Sequence, residues 1–314
     1  MRPESSAAAL VRLRLTHQVP VGVPVRGADA LAVVEVGPMP AGTRVFVPGL
    51  LPCGECPACR RALCSACVNV RRLIPGATGD AGLEVPERFL VAVDDGALPA
   101  TSAIAAGLVA DIIGAAGRAG LGPGDTAIWL GRQPWVRIGA AWSMGRGCRT
   151  FFLSASPPAA QAAGLTGAGP QRPVALEPAA GLQRWNALIA ESEAAGGPAG
   201  GRPERRIFVC GAGPDLAEAA VGLATPGSTL SFLLGTPATI EGLDRAPPLR
   251  LLTGSGGHPD LVTEALAALR RREVDVEGAF VEVTLADHAA STARLDADPD
   301  RPIPIVVLNG PAVH

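Results

Sequence analysis

The stretch PCGECPACRRALCSAC, residues 52–67, carries five of the chain's seven cysteines within fifteen positions. The spacing Cys53-x2-Cys56-x2-Cys59-x7-Cys67 supplies four thiolates, which close a tetrahedral shell around a borderline-soft d¹⁰ ion such as Zn²⁺. A full shell leaves no open position for water or substrate, so the expected site is structural. Gly54 and Pro57 let the chain wrap tightly enough to bring the first three sulfurs to one point. Cys64 opens a second set, Cys56, Cys59, Cys64 and Cys67, and the spacing does not choose between them. Clustered cysteines in a chain without a secretory signal argue for metal rather than disulfides. A zinc-ribbon module for nucleic acid, suggested by Arg60, Arg61, Arg71 and Arg72, fits poorly with a formal net charge of −2.

Upstream, DALAVVEVG and TRVFVPG flank PMPAG, which reads as strand–turn–strand over 29–48. Downstream, FLVAV (89–93) reads as another strand. The pattern changes after Pro99. Residues 101–120 have helical Ala/Ile spacing, LGPGD (121–125) is a turn, and TAIWLG (126–131) is a continuous apolar run of the buried parallel-strand type. Alternation then continues. Helices are expected near 137–146, from about 157 to 164, and over 182–195, 215–224 and 260–272. Strands are expected at 150–154, 173–176, 206–210, 229–235 and 250–254. GGPAGGRP (196–203) is loop punctuation. Strand and helix alternating at this spacing imply a doubly wound parallel sheet, so the fold class is α/β.

The 314 residues suffice for two domains or one large α/β unit. Every long apolar run carries a charge or a Pro/Gly break, which argues against a membrane-spanning helix. The N-terminus, with its acidic Glu4, is a poor signal peptide. A cytoplasmic protein is expected, with neither nucleic acid nor membrane as partner. The chain has no Tyr, and every cationic residue is Arg, so Schiff-base lysines and Tyr/Lys proton relays are excluded.

The Cys-rich stretch resembles the structural-zinc lobe of the zinc-dependent medium-chain alcohol dehydrogenases. VVEVGPMPAGTRVFVPG resembles that family's preceding strand pair, and AGLGPGDTAIWLG the entry to its cofactor domain. LTGSGGHPDL and PIPIVVLNG fit its later strands. The resemblance implies a truncated GroES-like β domain over 1–105 with the zinc lobe, completed by about 280–314, and a Rossmann-like domain over 106–279. It also implies dimerisation through sheet edges, with TLSFLLG and RLLTG as candidates.

The same resemblance exposes losses. The family's catalytic zinc needs a Cys ahead of the lobe, a Gly-His-Glu motif, and a later Cys or Glu. Here no Cys precedes Cys53, Arg26-Gly27-Ala28 stand at the motif, and Asp111 stands near the third ligand. The stretch that carries the first ligand is expected to be missing, and His17 is a lone residue of a short N-terminal strand. The dinucleotide loop should read Gly-x-Gly-x-x-Gly. It reads Gly131-Arg132-Gln133-Pro134-Trp135-Val136, with Gly131 and Pro134 matching the family while Gln133 and Val136 replace glycines. Val136 is expected to crowd the helix start. Ser154 stands where a ribose-binding acid belongs, and the loop argues against NAD(P), although Arg132 and Arg137 could attract phosphate. His258 and His288 read as surface residues, Cys148 and Cys210 as small buried hydrophobes.

These features predict a degenerate homologue, a pseudoenzyme that keeps its structural zinc and acts by binding or assembly. It would work as a homo-oligomer, with a protein partner, or with a small molecule in the old interdomain cleft. The alternative is an NAD(P)-dependent oxidoreductase of the medium-chain family that works without catalytic zinc.

Overall fold

The computed structural model describes residues 9–18, 29–60, 67–72, 83–93, 98–154, 174–175, 181–196, 204–211, 214–233, 240–253, 259–284, 286–287, 290–291, 293–294 and 303–308. Seven short strands open the chain: β1 (Leu10–Gln18), β2 (Ala30–Val36), β3 (Arg44–Val47), β4 (Leu50–Leu51), β5 (Arg71–Arg72), β6 (Leu83–Pro86) and β7 (Val91–Ala92). A one-turn helix α1 (Pro57–Arg60) sits between β4 and β5. Helices α2 (Ala100–Ile104) and α3 (Ala106–Ala119) follow. Then β8 (Thr126–Gly131), α4 (Trp135–Gly145), β9 (Arg149–Ser154), β10 (Val174–Ala175), α5 (Gly181–Gly196), β11 (Arg205–Cys210), α6 (Pro214–Leu223), β12 (Thr229–Phe232), β13 (Arg250–Thr253) and α7 (Pro259–Arg270) alternate. Strands β14 (Phe280–Thr284) and β15 (Ile303–Val307) close the chain.

The N-terminal sheet is mainly antiparallel, in the order β14-β15-β1-β2-β3-β7, with β6 also on β1. In β1, Val11, Leu13 and Leu15 alternate inward while Leu10, Arg12 and Arg14 face outward, the pattern of a sheet with one wet face. The tail strand β15 pairs with β1 through His17 opposite Val307, so the chain's last segment lies in the sheet begun by its first. FLVAV departs from expectation. Glu87–Phe89 is a single 3₁₀ turn, closed by the Leu90 amide on the Glu87 carbonyl at 2.9 Å, and the strand shrinks to Val91–Ala92. That turn buries Phe89.

The second sheet is parallel throughout, in the order β10-β9-β8-β11-β12-β13. The order steps outward one way from β8 to β10, then returns to β11 on β8's other side. That makes the β8/β11 boundary the topological switch point of a doubly wound fold. All six residues of β8 and of β11 are buried, because helices cover both faces. Ala127 and Trp129 contribute to the core on one face, Ile128 and Leu130 to the core on the other. A helix expected near 157–164 lies outside the described residues.

The first of these cores reaches from Leu31 and Phe46 of the antiparallel sheet, through α2 and α3, to Trp129 and to Val262 and Leu266 of α7. The stretch Ala100–Ala119 is long and apolar enough to cross a membrane by composition, yet its most apolar window is 72% buried between these layers. It ends as the turn signal LGPGD requires: Gly120 takes φ +68°, and the amides of Gly120 and Leu121 reach back to Gly117 and Ala116. On the far face, the buried Arg205 makes a two-pronged 2.9 Å contact with Glu193 and donates to Asn186 and the Leu223 carbonyl. These bonds tie β11 to α5 and α6.

Candidate metal centre and cofactor loop

The Cys-rich lobe brings Cys53, Cys56, Cys59 and Cys67 together, with all four sulfurs within 4.8 Å of one another. Cys56 and Cys59 are 3.5 Å apart and Cys53 and Cys59 are 3.9 Å apart. Four thiolates bound at about 2.3 Å define a tetrahedron with edges of about 3.8 Å, so the cluster fits one zinc ion. Gly54 makes the turn between the first two ligands at φ +82°, a conformation that other residues adopt rarely. The Arg60 amide on the Cys56 carbonyl closes α1, which presents Cys59 inward. Cys64 lies outside the described residues, and Cys53 joins the other three.

The surroundings treat the sulfurs unequally. Backbone amides, that of Cys59 foremost, hold the Cys56 thiol down to about 6, and amides of Glu55 and Cys56 lower that of Cys53. Burial pushes Cys59 up to about 12. A dication at the centre overrides that penalty, since coordination deprotonates the thiol outright. The Cys53 amide also donates to Cys67 Sγ at 3.2 Å. Arg88, stacked over Phe89 at 4.9 Å, donates to the Cys53 carbonyl and anchors the lobe to the sheet.

The dinucleotide loop keeps the glycine roles that serve the fold. Gly131 sits at φ +120°, and a Cβ there would meet the Cys210 carbonyl oxygen at 2.5 Å, so its absence of side chain is dictated by the β8–β11 contact. Val136 is fully buried in the core, and the close approach of helix to sheet occurs three residues later at Gly139, where a Cβ would stand 2.4 Å from the Trp129 ring. Trp129 stacks on Phe208 at 4.1 Å, and its indole N–H donates to Ser143, which donates to the Gly139 carbonyl.

At the second glycine position the arrangement differs. Gln133 is only 7% exposed, a buried polar side chain where pyrophosphate needs bare backbone. Pro134 offers no amide, and the Arg132 amide donates to the Cys210 carbonyl at 3.0 Å. Arg137 donates to the Glu277 carbonyl at 2.6 Å. Ser154 ends β9 in register with Gly131.

Among the described residues, no other singled-out side chain joins the cysteine cluster. His17 contacts its neighbour Thr16 on β1 and lies 3.9 Å from Glu282 on β14. Asp111 lies on α3 and Arg26-Gly27-Ala28 outside the described residues, as do His258 and His288. Cys148 and Cys210 are buried, and burial pushes both thiols up, Cys148 to about 11. Among the described residues the four cysteines form the one cluster able to hold a metal. Sequence reasoning passed over Asp29, directly after Arg26-Gly27-Ala28. Its carboxylate accepts the Gly49 amide at 2.7 Å and lies against Gly107 of α3. An acid opening a buried strand was the available signal.

No family model and no curated protein sequence matches the chain. Solved structures do match it over nearly their whole length. Galactitol-1-phosphate dehydrogenase from Escherichia coli superposes with a TM-score of 0.76 at 14% identity, covering 98% of this chain and 94% of that one. Alcohol dehydrogenase TADH from Thermus sp. ATN1 gives 0.72 at 18%, with the same coverage of 98% and 94%. A short chain alcohol dehydrogenase from Escherichia coli CFT073, complexed with NADH, gives 0.71 at 15%, again over 98% and 94%. The chain therefore has the fold of the medium-chain alcohol dehydrogenases, a GroES-like sheet joined to a Rossmann sheet.

Proposed function

We propose that this protein is a zinc-stabilised member of the alcohol dehydrogenase fold that acts by binding or assembly and not by hydride transfer. One zinc ion held by Cys53, Cys56, Cys59 and Cys67 locks the lobe and takes no part in chemistry, because four thiolates leave no place for substrate. The division into 1–105 with about 280–314, and 106–279, follows from the same reading. So does a cytoplasmic setting, where thiols stay reduced, and a role as homo-oligomer or partner-binding subunit.

The observation that carries the reading is the buried Gln133. Gly131 and Gly139 retain the glycine roles that serve backbone packing, while the position that serves the ligand holds a side chain. The second glycine is the one that lets the backbone approach the pyrophosphate, so a side chain there counts against dinucleotide binding. The competing reading, an NAD(P)-dependent oxidoreductase without catalytic zinc, draws on the sheet order and on the neighbour complexed with NADH.

The test is turnover. The purified protein is incubated with NADH or NADPH and a panel of aldehydes, ketones and enones while nicotinamide absorbance is followed. No protein-dependent oxidation is expected. A rate that scales with protein concentration for any substrate overturns the proposal.

A further inference from the structure

At the opposite end of α4 from the cofactor loop, about 16 Å along the helix, lies a groove of about 320 Å³ between α3, α4 and α7. Its floor is apolar, with Leu121, the Trp142 face and Leu261, and it deepens at Gly117, where an added Cβ would meet nothing within 4 Å. At its mouth the guanidinium carbon of Arg146 lies over the Trp142 ring, 4.1 Å from its centroid. The facing Glu264 stands 3.9 Å away, beyond hydrogen-bond length, and both side chains are about half exposed. Arg146 thus rests over the ring by a cation–π contact, and about half of its side chain remains exposed. A planar guanidinium in that state matches a carboxylate's two oxygens.

We infer that this groove binds a small monocarboxylate with an apolar body: the carboxylate on Arg146, the body over Trp142 and against Gly117. The volume lies within the range of small-molecule sites. Arg146 disfavours a cation at the mouth, and its 3.9 Å contact with Glu264 is the one an incoming carboxylate displaces. The site is separate from the cysteine cluster and from the β8–α4 loop, so it stands whether or not a nucleotide binds there.

Tryptophan fluorescence of the full chain during titration with hexanoate, 1-hexanol and hexylammonium tests it. Hexanoate is expected to give a saturable change in the millimolar range, about tenfold tighter than hexanol, the worth of one charge-assisted hydrogen bond. Hexylammonium is expected to give none. Trp142→Phe should remove the signal, Gly117→Leu should fill the groove and abolish binding, and Arg146→Lys should weaken binding about tenfold while keeping a cation at the helix end. Equal affinity for hexanol, absence of saturation, or unchanged hexanoate binding in Arg146→Lys overturns the assignment. Arg146→Lys, at an exposed position, decides the matter even if Gly117→Leu fails to fold.

Discussion

The carboxylate of Asp29 rests on the backbone of Gly107: a Cβ at that glycine would stand 2.0 Å from Asp29 Oδ2 and 3.1 Å from the Phe46 ring. Asp29 belongs to the start of the antiparallel sheet and Gly107 to the core helix α3, so the contact joins the two halves of the molecule. Asp29 directly follows Arg26-Gly27-Ala28 in the sequence, and Asp111 is one turn beyond Gly107 on the same helix.

Gly107→Ala is expected to destabilise the protein by roughly 1–3 kcal/mol, the usual cost of overpacking. The methyl group must displace a carboxylate that already accepts the Gly49 amide. Gly117→Ala, on the same helix with open space around it, should be neutral or stabilising by up to about 1 kcal/mol. Urea denaturation midpoints compare the two. Equal responses would remove the special status of the Asp29 contact.

Metal analysis should find one zinc per chain, lost in Cys53→Ser or Cys59→Ser and retained in Cys148→Ser. Chelation should lower the melting temperature and expose 52–67 to protease, since structural zinc binding is folding free energy. Full zinc content in Cys53→Ser would show that Cys64 supplies the fourth ligand instead.

His17 makes stability depend on pH. Burial lowers its pKa from 6.5, Glu282 opposes the shift, and Arg44 adds to it. The unfolded chain therefore takes up the proton first as pH falls, so this contribution is intact above about 6.5 and is lost progressively below it. His17→Gln should flatten the melting-temperature profile between about pH 7 and about pH 5. An unchanged profile would place the pH dependence elsewhere.

Local features of this fold were legible in the sequence. The cysteine cluster was readable because Cys53, Cys56, Cys59 and Cys67 lie close along the chain and the spacing alone limits their geometry. TAIWLG was readable because a strand covered on both faces has no polar side to blur it. What escaped reading was set by contacts across the fold. The loop motif places the helix-packing glycine at 136, but the helix approaches the sheet closest at Gly139, because the wide Trp129 ring lies beneath it. FLVAV has the composition of a strand, yet its first residue, the buried Phe89, ends the 3₁₀ turn Glu87–Phe89. The Asp29–Gly107 contact involves residues distant in sequence, which no local pattern connects.

The account stands most directly on nucleotide binding. Calorimetric titration of the zinc-loaded protein with NADH and NADPH should show no saturable heat up to millimolar nucleotide, because Gln133 is buried where the pyrophosphate would have to lie. Micromolar affinity for either nucleotide would contradict the account and make the chain an oxidoreductase in search of its substrate.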